Sequence, residues 1–488
     1  MAWWRSKFTG VWLPLALFLL NFYVCRELFR IEYLDHMGSI EGAYIGISRW
    51  VIDHWRDLSW FPLWYGGIPY QDTYPPCLHW LVAIAASIFD LSPARAYHWV
   101  AALAYCGGPV TVYALAARLS KSKWIGFAAG LIYSSVSFSA WLIPAYAKDL
   151  AGWLHPRRLQ TLVVYGDGPH VTALTLLPLA LLFLDLAIER PRWFYVALAA
   201  LAFAATALTN WLGAFALALA LACYLLARGR IPMRAIAIVI LAYALAMPWI
   251  PPSTIALIRD NSARVGGDFT RIYHSVWIWA PIVLAAIALL KFAIRKLEPH
   301  LQFAILFSSI LTAIVLGAAY FRFQIVPQPD RYHLEMEMAL AILLAFLGHA
   351  VFSHRPRAGA IALIILITLL IAPIRAVRDY AYRDLIRPID IASTTEFQLA
   401  QWLNRHWNGQ RIMTTGSSIY WLTAFSDTPE INGGFDQGET NEMIQVASYG
   451  VVIGQGAGDR GAEDSILWLK SLGVHAIAVA GPDSRELY

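Results

Sequence analysis

The chain has 488 residues, of which 59% are hydrophobic and 14% charged, with a mean hydropathy of +0.54. Apolar runs long enough for a ~30 Å hydrocarbon core recur along most of it, which excludes an ordinary soluble domain and marks a polytopic membrane protein. The formal net charge is +5, and with no basic block dense enough to follow a phosphate backbone, nucleic acid is excluded as a partner.

The amino terminus, MAWWRSK ahead of residues 8–29, has the charge order of a signal peptide without a small-residue cleavage site, so it reads as an uncleaved first span. Spans of roughly 17 to 25 residues start at Gly10, Ala94, Trp124, Val171, Trp193, Trp211, Met233, Ser275, Leu301, His333 and Ala358. Between the first two lies a shorter run, residues 76–89. If it crossed, the basic cluster Arg118/Lys121/Lys123 and all later ones would face away from Arg5/Lys7. If it does not, all six clusters share one side, as cytoplasmic loops require. The expectation is therefore about eleven spans, with the amino terminus cytoplasmic and the carboxy-terminal tail extracytoplasmic.

The first outer loop, residues 30–93, is predicted to carry two juxtamembrane helices. One, residues 40–57, sets Ile40, Tyr44, Ile47, Val51 and Trp55 on one stripe and Arg49, Asp53 and Arg56 on another, the pattern of an amphipathic interface helix. The other is the run 76–89. The link between them, WYGGIPYQDTYPP, has prolines that fix φ, a glycine pair that allows a sharp turn, and aromatics suited to the headgroup level. The four cysteines show no metal spacing and read as small hydrophobic residues, with a Cys25/Cys77 bridge at the outer face as the alternative.

Residues 1–376 form the membrane domain, and residues 377–488 carry 8 Lys+Arg against 14 Asp+Glu. That acidic tail reads as a separate, soluble α/β unit. Ser393-Thr-Thr-Glu396 is a capping box for a helix through Trp407, followed by a strand over 411–415. A second helix over 463–472 leads into a strand over 474–480. The chain ends eight residues past it, which reads as truncation. INGGFDQGETN and GQGAGDRG match no phosphate-binding fingerprint and are read as flexible surface loops.

Three groups of ionisable residues sit near outer span ends, where charge is costly. IEYLDHMGSIEG places Glu32, Asp35, His36 and Glu41 just past span one, either as a solvated loop or as a carboxylate base or metal ligand. VVYGDGPH combines a good helix start at Gly168-Pro169 with Asp167 at the positive end of the dipole, or supplies Asp167 and His170 as ligands opposite Asp35. FRFQIVPQPDRYHLEMEM offers Arg322 and Arg331. There the helix pairs Arg331/Glu335 and His333/Glu337 neutralise one another, or Arg331 grips a phosphate with its planar fork of donors.

Together these residues resemble the GT-C class of membrane glycosyltransferases. Asp35 in EYLDHMGSIEG matches the position of the class's first-loop acid, and WFPLWYGGIPYQDTYPPCLHW is similar to the glycine-proline stretch between the two juxtamembrane helices. Within the class the chain looks closest to membrane proteins named for a 6-pyruvoyl-tetrahydropterin synthase-related domain. More distantly it is similar to aminoarabinose and protein mannosyl transferases and to the oligosaccharyltransferase catalytic subunit. The resemblance covers roughly residues 8–376 and implies sugar transfer from a polyprenyl-phosphate donor to a lipid, glycan or protein acceptor outside the cytoplasm. It implies Asp35 as the base, Arg331 and Arg322 at the donor phosphate, and Glu32, His36, Glu41, Asp72 and Tyr74 around the substrate. A divalent cation, Mg or Mn, would be held by Asp35, Asp167 and His170. The class's further acid in the second outer loop has only Asp149 and Asp167 as counterparts. A transporter or flippase, and a non-catalytic subunit of an envelope polysaccharide system, are the rival readings. Against the first, the acids and histidines lie near span ends rather than at mid-membrane.

Overall fold

The computed structural model describes residues 2–190, 192–265, 270–323, 326–407, 409–453 and 458–479. After α1 (Ala2–Cys25), the first loop carries α2 (Glu41–His54) and α3 (Cys77–Phe89). A small antiparallel ribbon, β1 (Trp60–Phe61) against β2 (Ile68–Pro69), lies between them. The bundle continues with α4 (Pro93–Ser120) and α5 (Lys123–Ser135), where the hydroxyls of Ser92 and Ser122 cap the first turns. Three short helices, α6 (Phe138–Leu142), α7 (Pro144–Asp149) and α8 (Arg157–Val163), fill the second loop. Next come α9 (Gly168–Glu189), α10 (Trp193–Ala207), α11 (Trp211–Arg228), α12 (Met233–Ala246) and α13 (Pro252–Val265). They are followed by α14 (Thr270–Ile294), α15 (Pro299–Phe321), α16 (His333–Phe352) and α17 (Pro356–Tyr380).

Every one of the eleven predicted spans is a helix, and the chain is a multi-pass membrane protein. Among the described residues eight helices are long and apolar enough to cross: α1, α4, α9, α11 and α14 to α17. The other three, α5, α10 and α12, have 13, 15 and 14 residues. With 13 residues, α3 is about 20 Å long, short of the hydrocarbon core. Cys25 lies 3.6 Å from Cys106 through their sulfurs, so its neighbour is on α4 and not Cys77.

The tail contains β3 (Ile412–Thr414) and β4 (Ala476–Ala478), paired in parallel, and helices α18 (Thr395–His406), α19 (Ser418–Phe425), α20 (Glu442–Ile453) and α21 (Gly461–Ser471). The cap of α18 is Thr394 rather than Ser393, one residue later than the capping box implies. Glu396 is thereby released from capping and accepts a hydrogen bond from Ser417.

The tail is not a free-standing unit. Its apolar residues Met413, Trp421 and Ile431 share one continuous core with Tyr44, Phe61 and Trp64 of the first loop. This corrects the interface-helix reading of α2, which is buried on most sides because α19 lies across it. Gly42 and Gly46 make the close crossing: a Cβ on Gly46 would sit 2.7 Å from Thr423 Cβ, and one on Gly42 2.5 Å from the Trp421 indole. Arg49, expected to face water, donates to the carbonyls of Thr423 (3.1 Å) and Ser426 (2.9 Å) and to Asp427 (2.6 Å). Trp55, expected on the apolar stripe, is exposed.

INGGFDQGETN is likewise a buried counterpart rather than a flexible loop. Trp64 is fully buried beneath Gly433 and Gly434 and donates its indole N–H to Thr423 Oγ1 at 3.1 Å. Tyr65 donates to Asp436 at 2.8 Å, and the backbone of Gly438 packs on the carbonyl of Asp72. The link reaches this position through a left-handed turn, with φ of 54°, 73° and 106° at Tyr65, Gly66 and Gly67. Of GQGAGDRG, residues 454–457 lie outside the described residues.

Glu430 stands inside this interlock. Its backbone N–H donates to Leu63 O (2.9 Å), and its buried carboxylate accepts from Thr414 Oγ1 (2.8 Å). Burial drives that carboxyl well above the usual carboxylate range, and the Thr414 bond offsets only part of the shift. Since the folded value lies above an unfolded value of about 4.3, the contribution to stability is complete below that pH and is lost as pH rises toward the folded value. The thermal unfolding midpoint of detergent-purified protein is expected to fall from about pH 5 to about pH 8, and Glu430→Gln to flatten that slope. An unchanged slope in the variant would remove Glu430 as its source.

Candidate functional site

Three segments meet beneath α2: the turn before α9, the first loop, and the 3-10 turn Pro329–Tyr332 that leads into α16. Gly166, with φ of 70°, permits the close approach, since a Cβ there would lie 2.6 Å from the backbone nitrogen of Glu41. Tyr97 fixes the same turn by donating to Gly166 O (2.7 Å) and accepting from Gly168 N (3.1 Å).

Asp167 occupies the cap position of α9, yet its side chain makes no capping bond. It is held instead by Arg331, and it lies 3.5 Å from His170 Nδ1. His170 Nε2 lies 2.8 Å from Glu335 Oε1. The result is a row of alternating charge, Arg331, Asp167, His170, Glu335, in which the last three are buried and the Arg331 side chain is 41% exposed. Burial would raise the Asp167 carboxyl, but the Arg331 guanidinium and His170 outweigh it and hold the group below the usual carboxylate range.

The predicted i,i+4 pairs Arg331/Glu335 and His333/Glu337 do not form. Arg331 belongs to the 3-10 turn, which alters its angular register relative to α16, and each member of the two pairs reaches another element. His333 Nε2 accepts from Arg157 (3.2 Å), and Glu337 accepts from the hydroxyl (2.5 Å) and N–H (3.2 Å) of Ser139. Arg157 also binds Asp149 and Gln160, and its guanidinium lies 4.5 Å over the Tyr146 ring.

Asp35 is 32% exposed in its side chain and pairs with Arg387 at 2.9 Å, while its N–H donates to the Arg387 carbonyl at 3.0 Å. His36 donates to Leu385 O at 2.8 Å. Glu32 is exposed, as is Arg322, which ends α15 in a left-handed conformation. Glu41 is buried, with His98 Nε2 3.0 Å from its Oε1. Asp72 is buried and accepts from Thr254 at 2.6 Å; burial raises its carboxyl despite that bond. Tyr74 accepts from Asn210 at 2.9 Å and packs its ring 4.9 Å from that of Tyr44. Burial, together with nearby Asp167, pushes its phenol up to about 12.

The geometry therefore joins Asp167, His170 and Arg331 and leaves Asp35 with Arg387. Among the described residues no group of three or more His, Cys, Asp and Glu is close enough to hold a metal ion. Asp167 lies against Arg331 and His170, and Asp35 against Arg387 and, at 3.9 Å, His36, so as arranged these side chains do not make a cation site. The Arg331 guanidinium has Nη2 committed to Asp167 and Nη1 to Gln328 (3.0 Å), which fixes its plane and leaves its remaining donors for an anion. Arg157, Arg387, Glu335 and His98 were not singled out as site residues from the sequence. Only the Arg157-Arg158 doublet, in a loop predicted to lie outside and so opposite to the charge rule, was a usable signal.

No protein-family model matches the chain, and no curated protein matches it. Solved structures do. Over 98% of its length the chain superposes on 70% of the archaeal oligosaccharyltransferase AglB from Archaeoglobus fulgidus, in complex with an inhibitory peptide and a dolichol-phosphate, with a TM-score of 0.55 at 13% identity. The fold is GT-C-like. The apo form of the Archaeoglobus fulgidus enzyme gives the same TM-score, 0.55, over 97% of this chain. The arabinofuranosyltransferase AftD from Mycobacteria matches 86% of the chain and 32% of its own at a TM-score of 0.48 and 17% identity, too loosely to carry weight. The likeness to AglB takes in the tail as well as the bundle, in keeping with the shared core of the tail and first loop.

Removing one member of a buried ion pair strands the other, at a cost of about 3 to 5 kcal/mol. Glu335→Ala, which strands buried His170, is expected to lower the thermal midpoint in detergent more than Arg331→Ala does. Arg331 is half-exposed, and Asp167 retains His170 when it is lost. Equal losses would show that the row is not ordered by burial.

Proposed function

We propose that the chain is a membrane glycosyltransferase that moves a sugar from a polyprenyl-phosphate donor to a nucleophile of a lipid, glycan or protein outside the cytoplasm. The observation that carries this reading is Arg331, a half-exposed guanidinium braced by a buried acid at the end of a membrane helix. A lipid-phosphate donor enters sideways from the membrane and so presents its phosphate at that depth. The AglB structure contains a dolichol-phosphate, a long-chain lipid phosphate of the same chemical kind as the carrier part of such a donor. The closer kinship with the 6-pyruvoyl-tetrahydropterin synthase-related membrane proteins rests on the WFPLWYGGIPYQDTYPPCLHW stretch alone.

In this scheme Asp35 accepts the acceptor's proton, the acceptor oxygen bonds to the anomeric carbon, and the bond from that carbon to the phosphate oxygen breaks. Its electron pair leaves on the phosphate, where Arg331 stabilises the added charge. Arg387 orients the Asp35 carboxylate. Asp167 holds Arg331 in plane and is a positioning residue rather than the base. Glu32 and His36 flank Asp35, Tyr74 and Glu41 stand on the first-loop side of the row, and Asp72, bound to Thr254, is assigned to the substrate rim. Arg322 serves as a second, outer cation for the donor.

The test is transfer of labelled sugar from polyprenyl-phosphate donors by membranes containing the protein. Asp35→Asn is expected to lower the rate by about 100- to 10,000-fold while donor binding persists. Arg331→Lys, which keeps charge but loses the fork, is expected to weaken donor binding. Full activity in Asp35→Asn would displace the base, and absence of transfer by the wild type would sink the transfer reading.

We also propose that the amino terminus is cytoplasmic and the tail extracytoplasmic, because the six basic clusters share a side only if α3 does not cross. Single cysteines placed at the two ends of α3 are expected to react with a membrane-impermeant reagent added from outside. Labelling of position 90 from the cytoplasm alone would overturn this topology.

A further inference from the structure

At the opposite end of α9 lies a second charged site that the transfer scheme does not use. Asp185 is 18 residues beyond Asp167, which places it about 27 Å along the helix, close to one hydrocarbon thickness away. Around it the ends of α4, α9 and α11 and the start of α15 enclose a cavity of about 590 Å³. That size falls within the range of small-molecule sites.

Buried Asp185 is the brace of this cavity. It accepts from Arg118 Nε (2.6 Å), Arg228 Nη2 (2.5 Å) and the Tyr224 hydroxyl (2.6 Å), and Arg228 also binds Glu189 at 2.6 Å. Two carboxylates are thus consumed in orienting two guanidiniums. The terminal nitrogens of Arg118 have no partner among the described residues, nor do the exposed Lys121 and Arg230, both of which line the cavity. Glu298 is the one lining carboxylate with no cation bound to it among the described residues, and it stands at the start of α15. Against it are three cations with donors to spare. The remaining wall is mixed: Ser120 and His300 are polar, and Leu119, Ala227, Pro299 and Phe303 give it an apolar part.

We infer that this cavity binds a phosphate-bearing anion, with Arg118, Lys121 and Arg230 contacting the phosphate and Asp185 holding the Arg118 guanidinium toward it. A braced guanidinium beside exposed cations is suited to phosphate, and the apolar part of the wall, at the end of the membrane helices, suits a lipid phosphodiester with the first atoms of its chains. The same donors would take a free phosphate. This assignment is independent of the sugar-transfer reading, because it concerns residues at the other end of the bundle.

The experiment uses the full-length protein, delipidated in detergent, and measures thermal unfolding after addition of phosphatidylglycerol, phosphatidylcholine or inorganic phosphate. Lipid retained after reconstitution into vesicles of phosphatidylcholine with phosphatidylglycerol is measured by mass spectrometry. A ligand that binds only the folded protein raises the midpoint. Phosphatidylglycerol is expected to raise it and phosphatidylcholine not. The double variant Lys121→Gln, Arg230→Gln spares the internal ion pairs and so should unfold like the wild type without ligand. It should lose the phosphatidylglycerol shift and retain roughly tenfold less of that lipid, a change of about 1.4 kcal/mol in binding. A shift with inorganic phosphate that the double variant abolishes would support the same site with a soluble anion as its occupant. If neither phosphatidylglycerol nor inorganic phosphate shifts the midpoint, or if the double variant keeps the full shift and lipid retention, the assignment is overturned.

Discussion

Burying an ion where the bilayer begins is tolerated only when another ion or a hydrogen bond accompanies it, and this constraint organises the molecule. The row Arg331, Asp167, His170, Glu335 is the main case, and it ties the start of α9 to the start of α16. Each carboxylate in it answers a cation from another segment. Because those partners are far apart in the chain, the row sets how the starts of the two helices meet. The one half-exposed member is the guanidinium, so the fold leaves at the surface a cation that is already oriented.

The second organising contact is between the first loop and the tail. Two stretches that each hold a glycine pair, around Trp64 and around Gly433, fit into each other, the Trp64 ring lying against Gly433 and Gly434. Helix α2 is caught between the bundle and α19, with Gly42 and Gly46 allowing the backbones to close. The loop that carries Asp35 is therefore clamped on two sides. It meets α9 through Gly166 and the tail through Arg387 and Trp421, whose indole donates to Met37 O at 2.6 Å. A proposed base on such a loop is held by a scaffold rather than left on a flexible tether, as positioning for proton transfer requires.

The two ends of the bundle make contrasting use of the same chemistry. At one end a buried acid braces a single guanidinium beside clamped loop residues, which suits a reaction that must be positioned. At the other, Asp185 braces two guanidiniums at a cavity lined by further exposed cations, which suits holding an anion without changing it. Helix α9 contributes the acid at both ends.

Local periodicity and composition were sufficient to place a helix at each of the eleven predicted spans, the short helix α3, and two helix-strand units of the tail, though not α19 or α20 between them, because hydrophobic length and capping chemistry act within a few residues. Asp167, His170 and Arg331 were legible as candidates because ionisable residues near span ends are costly. Their partners were not legible. Nearest-neighbour rules paired Arg331 with Glu335 and His333 with Glu337, whereas a 3-10 turn and the packing of α9 and α8 supplied other partners. Similarly, one apolar stripe and two polar glycine-rich segments read as a lipid-facing helix and free loops, since the sequence carries no local sign that the tail will cover them. Which groups meet across tens to hundreds of residues depends on close packing of whole elements, and only the tertiary structure decides it.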